Sequence, residues 1–233
     1  MEYKYSRDDN YEDYASGRVI YGGKGIPNFP VRLLNEMFGR AKSYLEKQSE
    51  IIVYDPCCGG GYALTVLGFF HSDCINMLYG SDIDENMVAY ANKNTKLLTA
   101  AGLEERRREL EALYENYHKD SHEEALESIK RLEETLKKDI ASEIFGADCT
   151  RPLPFIRPDI IITDVPYGNL VEWNECAEIS LEGMMKQLAE ITVSGAILTV
   201  CMDKKQKGSC EGWRRLEKQN VGKRKFEIYI REE

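Results

Sequence analysis

The spacing of apolar residues changes several times along this chain, and each change marks a new element. Val31, Leu34, Met37, Phe38, Ala41 and Leu45 recur at helical spacing and predict an amphipathic helix over about 31–47. Ile51-Ile52-Val53-Tyr54-Asp55 is a β-branched run that predicts a buried strand. An acid, a proline, two cysteines and Gly59-Gly60-Gly61 follow, and a new apolar segment begins at Tyr62. That order reads as strand, tight turn and a helix from about 61 to 70. Met77–Asp82 predicts a second strand and Asn86–Thr99 the next helix. Ile144–Asp148, Asp159–Asp164 and Gly195–Cys201 predict three further strands, with a helix over 179–191. Arg214–Gln219 and Lys223–Ile230, joined around Val221-Gly222, read as a closing hairpin. Such alternation predicts an α/β fold, a mostly parallel, doubly wound sheet ending in an antiparallel hairpin.

Leu103 to Phe145 breaks the alternation with two charged helices, a helical hairpin inserted into the sheet order. Leu103, Leu110, Leu113 and Tyr117 line the first; Leu126, Ile129, Leu132, Leu136 and Ile140 line the second, which Ser121-His122-Glu123-Glu124 opens as a capping box. Residues 1–16 lack periodicity and predict a loosely held arm, and 17–25 a short extended segment with a flexible loop. A single domain over 1–233 is expected, with 1–50 forming an arm and helix over the active site and 103–145 the insertion.

Composition narrows the class. The longest apolar run, Tyr62–Phe70, is too short to span a bilayer, and the start lacks the basic and apolar regions of a signal peptide. Seven irregularly spaced cysteines suit free thiols in a reducing cytoplasm and no metal site. The net charge of −9 does not mark a nucleic-acid binder, but the charge is uneven. Residues 203–233 carry ten Lys/Arg against six Asp/Glu, whereas 103–145 carry eight against thirteen. Only a local basic rim can meet phosphates. Arg18, Lys24, Arg32, Lys204, Lys205, Lys207, Arg214 and Arg215 are its candidates, and the insertion reads as a packing element. A monomer is expected.

Four predicted strands finish in an acid, Asp55, Asp82, Asp148 and Asp164, along the edge where open α/β sheets bind ligands. A dinucleotide fingerprint needs a third glycine where Leu64 stands, and no Walker lysine follows the turn. The turn therefore suits a nucleoside without a phosphate bridge. Asp82, about twenty residues beyond Gly61, suits the ribose hydroxyls. S-adenosylmethionine has a ribose, an adenine, a charged tail and no phosphate. His71, His118 and His122 fall outside these motifs and read as surface residues; Cys57 and Cys58, without an activating base, read as packing rather than nucleophiles.

Asp55-x-x-x-Gly59-x-Gly61 resembles motif I of the Rossmann-like S-adenosylmethionine-dependent methyltransferases. Asp164-Val165-Pro166-Tyr167-Gly168 is similar to the [DN]-P-P-[YF] motif of enzymes that methylate exocyclic amines, with Val165 in place of the first proline. Together with Gly17-Arg18-Val19, Phe29-Pro30-Val31-Arg32 and Cys57-Cys58, these motifs resemble the avilamycin-resistance (AviRa-type) ribosomal RNA methyltransferases over about 17–201. The resemblance implies a seven-stranded Rossmann-like sheet and methylation of a guanine base in 23S ribosomal RNA, free or in the large subunit, with resistance to orthosomycin antibiotics. It also implies cofactor contacts from Asp55, Cys57, Gly59, Gly61, Asp82, Ile83, Asp148 and Cys149. Catalysis falls to Asp164, Pro166 and Tyr167, and substrate contact to Arg18, Lys24, Arg32 and Gly168.

The Asp164 motif has a chemistry of its own. Asp164 and a backbone carbonyl of Val165 or Pro166 accept both N–H bonds of a base amine, favouring a pyramidal nitrogen in the transition state. Tyr167 stacks on an extruded base. An adenine N6 amine in DNA or RNA and a protein glutamine amide are rival acceptors; a non-catalytic S-adenosylmethionine-binding RNA module is a rival class.

Overall fold

The computed structural model describes residues 1–23, 28–165 and 177–233. The described elements run α1 (Val31–Ser43), β1 (Ile51–Asp55), α2 (Tyr62–His71), β2 (Ile75–Asp82), α3 (Glu85–Lys96), α4 (Ala100–Tyr117), α5 (Asp120–Thr135), β3 (Ala141–Gly146), β4 (Ile160–Asp164), α6 (Ala177–Ile191), β5 (Ile197–Asp203), β6 (Trp213–Val221) and β7 (Arg224–Arg231). The strands form one seven-stranded sheet in the order β3-β2-β1-β4-β5-β7-β6. Strands β1 to β5 are parallel, and β7 pairs antiparallel with both β5 and β6. This is the predicted architecture, a Rossmann-like sheet closed by an antiparallel hairpin.

The two faces follow from strand alternation. Val53, Ile160, Ile162, Ile197, Phe226 and Ile228 point into a core shared with α1 to α5. Tyr54, Ile161, Leu198, Val200 and Tyr229 point the other way, onto α6. By the same alternation Asp55, Asp164 and Arg224 share the α1 to α5 side. The register Asp203↔Arg224 brings the start of β7 to the carboxyl edge of the parallel strands.

Four expectations need correction. The second insertion helix begins at Asp120 with Lys119 as N-cap and no side-chain cap bond, so Ser121 lies inside it and forms no capping box. Asp148 stands two residues beyond the end of β3, in a turn rather than at a strand end. His71 is half-buried rather than a surface residue: its ring lies 4.3 Å from that of Phe38, tilted by 33°, and meets the Asn35 side chain at 2.9 Å. Burial lowers its pKa to about 4.

The arm, finally, is tied down. The Glu36 carboxylate accepts the backbone N–H groups of Lys4, Tyr5 and Ser6 at 2.7–3.1 Å, while Arg40 donates to Glu36 and to the carbonyl of Glu2. Tyr14 then stacks on Phe70 at 4.6 Å. Aperiodic sequence hid this because a single buried carboxylate, thirty residues away, supplies the hold. Glu36→Ala leaves Arg40 and three backbone donors without their buried acceptor, and should destabilise the protein by roughly 3 kcal/mol or more in urea unfolding. A loss under about 1 kcal/mol, typical of an exposed pair, would refute that anchoring.

Candidate active site

The site is built on the turn after β1. Asp55 is 3% exposed and accepts the N–H of Cys57 at 3.1 Å. Gly59 and Gly61 both hold positive φ, +51° and +74°. A Cβ on Gly61 would strike the Ala91 backbone at 2.8 Å, so α3 packs directly on the turn, whereas above Gly59 lies open space. The Gly59 N–H donates to Asp82 Oδ2 at 2.9 Å, and the Asp84 N–H donates to Oδ1 at 3.0 Å. Asp82, at the end of β2, is thus aimed by the turn it faces. Ile83, beside it, is 70% exposed, an apolar side chain left open next to Asp82.

The turn after β3 joins this group. Asp148 accepts the Thr150 N–H and hydroxyl at 2.9 and 2.7 Å, which hold its carboxyl below the usual range. Cys149 Sγ lies 3.6 Å from Cys57 Sγ, and that contact, with burial, pushes the Cys57 thiol well up. Cys57 therefore stands as a neutral packing group, and its contact with Cys149 binds the two turns together. The six cysteines of the described residues are all free, and among these residues no cluster of metal-ligating side chains occurs.

Asp164 ends β4. Its Oδ2 accepts from Arg224 Nη1 at 3.0 Å, across β5. Its Oδ1 is buried and makes no hydrogen bond among the described residues. The Cys201 thiol, a weak donor, is its neighbour on β5. Burial raises the Asp164 pKa, with Arg224 opposing. Pro166, Tyr167, Gly168 and Lys24 lie outside the described residues.

Two contributors were not visible in the sequence pattern. Asn94, buried on α3, accepts the Tyr21 N–H at 2.8 Å and donates to the carbonyls of Tyr21 at 3.1 Å and Gly60 at 2.8 Å. It clamps the arm to the glycine turn. Arg106 on α4 donates to the carbonyls of Val19 and Arg18 at 2.9 and 3.1 Å. The insertion therefore supports the segment that leads to the glycine turn. Of the rim candidates, Arg18 is bound to Glu124 and Arg32 to Asp8. Arg214 and Arg215 begin β6 at the opposite edge of the sheet, held by Glu232 and Glu227. Lys204, Lys205 and Lys207 follow the end of β5 and, with Lys223 of the β6–β7 turn, stand at the edge that carries Asp164.

The family model of the rRNA methyltransferase AviRa matches residues 1–224. The chain belongs to the AviRa family of ribosomal RNA methyltransferases. A 23S rRNA (guanine(2535)-N(1))-methyltransferase of Streptomyces viridochromogenes is 34% identical over 222 residues, covering 91% of this chain and 88% of that protein. The structure of rRNA methyltransferase AviRa from the same organism, at 1.5 Å, superposes with a TM-score of 0.88 at 31% identity, over 96% of this chain and 94% of that one. TrmN from Thermus thermophilus, 12% identical, aligns with a TM-score of 0.53 over 87% of this chain and 49% of its own, a likeness of fold alone.

Burial, with the charges of Asp82 and Asp164, pushes Asp55 from its ordinary 3.8 up to about 7. The protonated form is favoured in the folded state, so the stability it contributes is present at low pH and lost as pH rises through about 7. Between about pH 4 and 7 this single group imposes a falling slope of up to ~1.4 kcal/mol per pH unit. Asp55→Asn should flatten that fall in thermal unfolding. An unchanged slope in the variant would remove Asp55 as its source.

Proposed function

We propose that this protein transfers the methyl group of S-adenosylmethionine to N1 of a guanine in 23S ribosomal RNA, free or within the large subunit. Family membership and the activity named for the Streptomyces relative support the reaction class. The observation that carries it to residues is the Oδ1 of Asp164, a buried acceptor without a hydrogen bond among the described residues, at the edge formed by the β1 turn. Orthosomycin resistance is the physiological consequence this reading entails.

The edge suits this cofactor. Its acidic side chains oppose a pyrophosphate and favour a cationic nucleoside. Asp82 is held where ribose hydroxyls can donate to it, Ile83 offers an apolar surface to an adenine, and Gly59 leaves room for close approach. Asp55, Cys57, Gly61, Asp148 and Cys149 are assigned to the same cofactor site. When bound, the cofactor supplies a methyl group on a sulfonium, which leaves as a neutral thioether.

Guanine N1 carries a proton that must be lost for its electron pair to attack. We assign Asp164 as the acceptor of that proton. The exocyclic-amine chemistry expected from the Asp164–Gly168 motif thereby moves to the adjacent ring nitrogen, with the same carboxylate. Tyr167 is assigned to stacking on the extruded base, with Pro166 and Gly168 shaping its loop. Orientation of the base contributes the larger share of the rate.

Radiolabelled cofactor offered with 50S particles, naked 23S rRNA, DNA and protein extract should label ribosomal RNA, and digestion should yield 1-methylguanine. Label found only in protein, or on the exocyclic N2, would overturn the acceptor. Asp164→Asn should lower the rate about 10²–10⁴-fold while cofactor affinity stays near wild type.

RNA affinity is assigned to Lys204, Lys205, Lys207 and Lys223, with Lys24 as a further contact; Arg18 and Arg32 contribute by exchanging Glu124 and Asp8 for phosphates. Neutralising the four lysines to glutamine should weaken binding and flatten its salt dependence by roughly 0.7–0.9 log units of slope for each phosphate no longer neutralised. The same substitutions at Arg214 and Arg215 should leave the slope unchanged; the reverse result would move the RNA to the other edge.

A further inference from the structure

The guanidinium of Arg224 is joined to Asp164 over a separation of sixty residues, from the first position of the strand that closes the sheet. A guanidinium carries five N–H groups in a planar fork and can serve several acceptors at once. Packing alone does not explain the pair, since the two side chains remain 31% and 29% exposed at the carboxyl edge. On the guanine N1 reading above, the pair presents an acceptor, the Asp164 carboxylate, beside a donor, the guanidinium fork. Guanine presents the complement, the N1–H donor beside the O6 acceptor. An adenine in the same pose sets its bare N1 against the carboxylate and its amino group against the guanidinium, wrong at both places.

We propose that Arg224 is a second substrate-reading residue, holding Asp164 through Oδ2 and donating to guanine O6. As the N1–H bond breaks, the proton passes to the Asp164 carboxylate and the electron pair stays on the ring, where charge spreads to O6. A fixed guanidinium at O6 stabilises that charge as it develops. Arg224 also opposes the burial that favours protonated Asp164. Among the described residues the other titratable groups beside Asp164 are the Cys201 thiol from β5 and Asp55 from β1; neither can replace Arg224, since the thiol is a weak donor and an ionised carboxylate carries no donor.

The test compares wild type, Arg224→Gln, Arg224→Lys and Asp164→Asn on the RNA substrate that wild type labels, with single-turnover rates across pH. Cofactor affinity by calorimetry and the unfolding midpoint are measured in parallel. Arg224→Gln should lose about 10²–10³-fold in rate, with its acid limb displaced to higher pH and cofactor affinity unchanged. Arg224→Lys should leave the limb in place and still lose rate, because an ammonium cannot span Oδ2 and O6 as a planar fork does. A Gln variant with the wild-type rate and limb overturns the proposal. If the Gln variant does not fold, a Lys variant with the wild-type rate overturns it equally. Asp164→Asn at the wild-type rate refutes the guanine N1 reading itself, whereas an inactive Asp164→Asn beside a fully active Arg224→Gln refutes only the role of Arg224.

Discussion

The site depends on gathering carboxylates that repel one another. A parallel sheet ends its strands on one edge, and here that edge receives Asp55, Asp82 and Asp164. Each acid is accommodated differently. Asp82 accepts the N–H groups of Gly59 and Asp84, Asp164 accepts from Arg224 through Oδ2 alone, and Asp55 has one N–H and partial neutralisation. The differing supports give three chemically identical groups three different environments. On the proposed reaction, one holds a ligand, one accepts a proton, and one ionises at a cost in stability.

That edge is joined by a segment with little structure of its own. Val19 and Ile20 are fully buried, yet residues 17–23 form no helix or strand. Their order comes from outside, through Asn94, Arg106 and the Tyr21 hydroxyl on Glu109 at 2.7 Å. Lys93 and Arg106 also lie over the Tyr21 ring at 3.8 and 4.2 Å. Because Asn94 bonds Tyr21 and Gly60 together, displacement of the arm and displacement of the glycine turn are one event. The acidic insertion, which contributes Arg106 and Glu109, thus reaches the glycine turn through the arm.

Local rules made the sheet legible. β-branched runs ending in acids, a glycine turn with Leu64 in place of a third glycine, and a strand-rich C-terminus specify the architecture because each is a short-range pattern. The hold on the arm and the roles of Asn94, Arg106 and Arg224 were not legible. Each depends on a partner thirty to ninety residues away, and in each case a polar side chain is drawn inward only because that partner satisfies it. Ser121 shows the opposite failure: a capping-box pattern is present, but Lys119 and Asp120 begin the helix earlier. Arg214 and Arg215 were grouped with Lys204 by sequence proximity, and the hairpin, running from one edge to the other, separates them.

A net charge of −9 on a protein that meets RNA is then consistent with how the labour is divided. An acidic molecule repels phosphates over most of its surface, so non-specific adsorption is weak, and on the proposed assignments productive contact is confined to the local basic rim. The lysines after β5 and in the β6–β7 turn lie on the same edge as Asp164, so on the proposed assignments the phosphates they attract bring bases to that edge rather than to the insertion. Once a base arrives, discrimination rests on direct donor and acceptor placement. On the proposed assignments the same hairpin supplies both, Lys223 to the backbone and Arg224 to the base, so that a strand pair added to close the sheet also fixes how RNA approaches it.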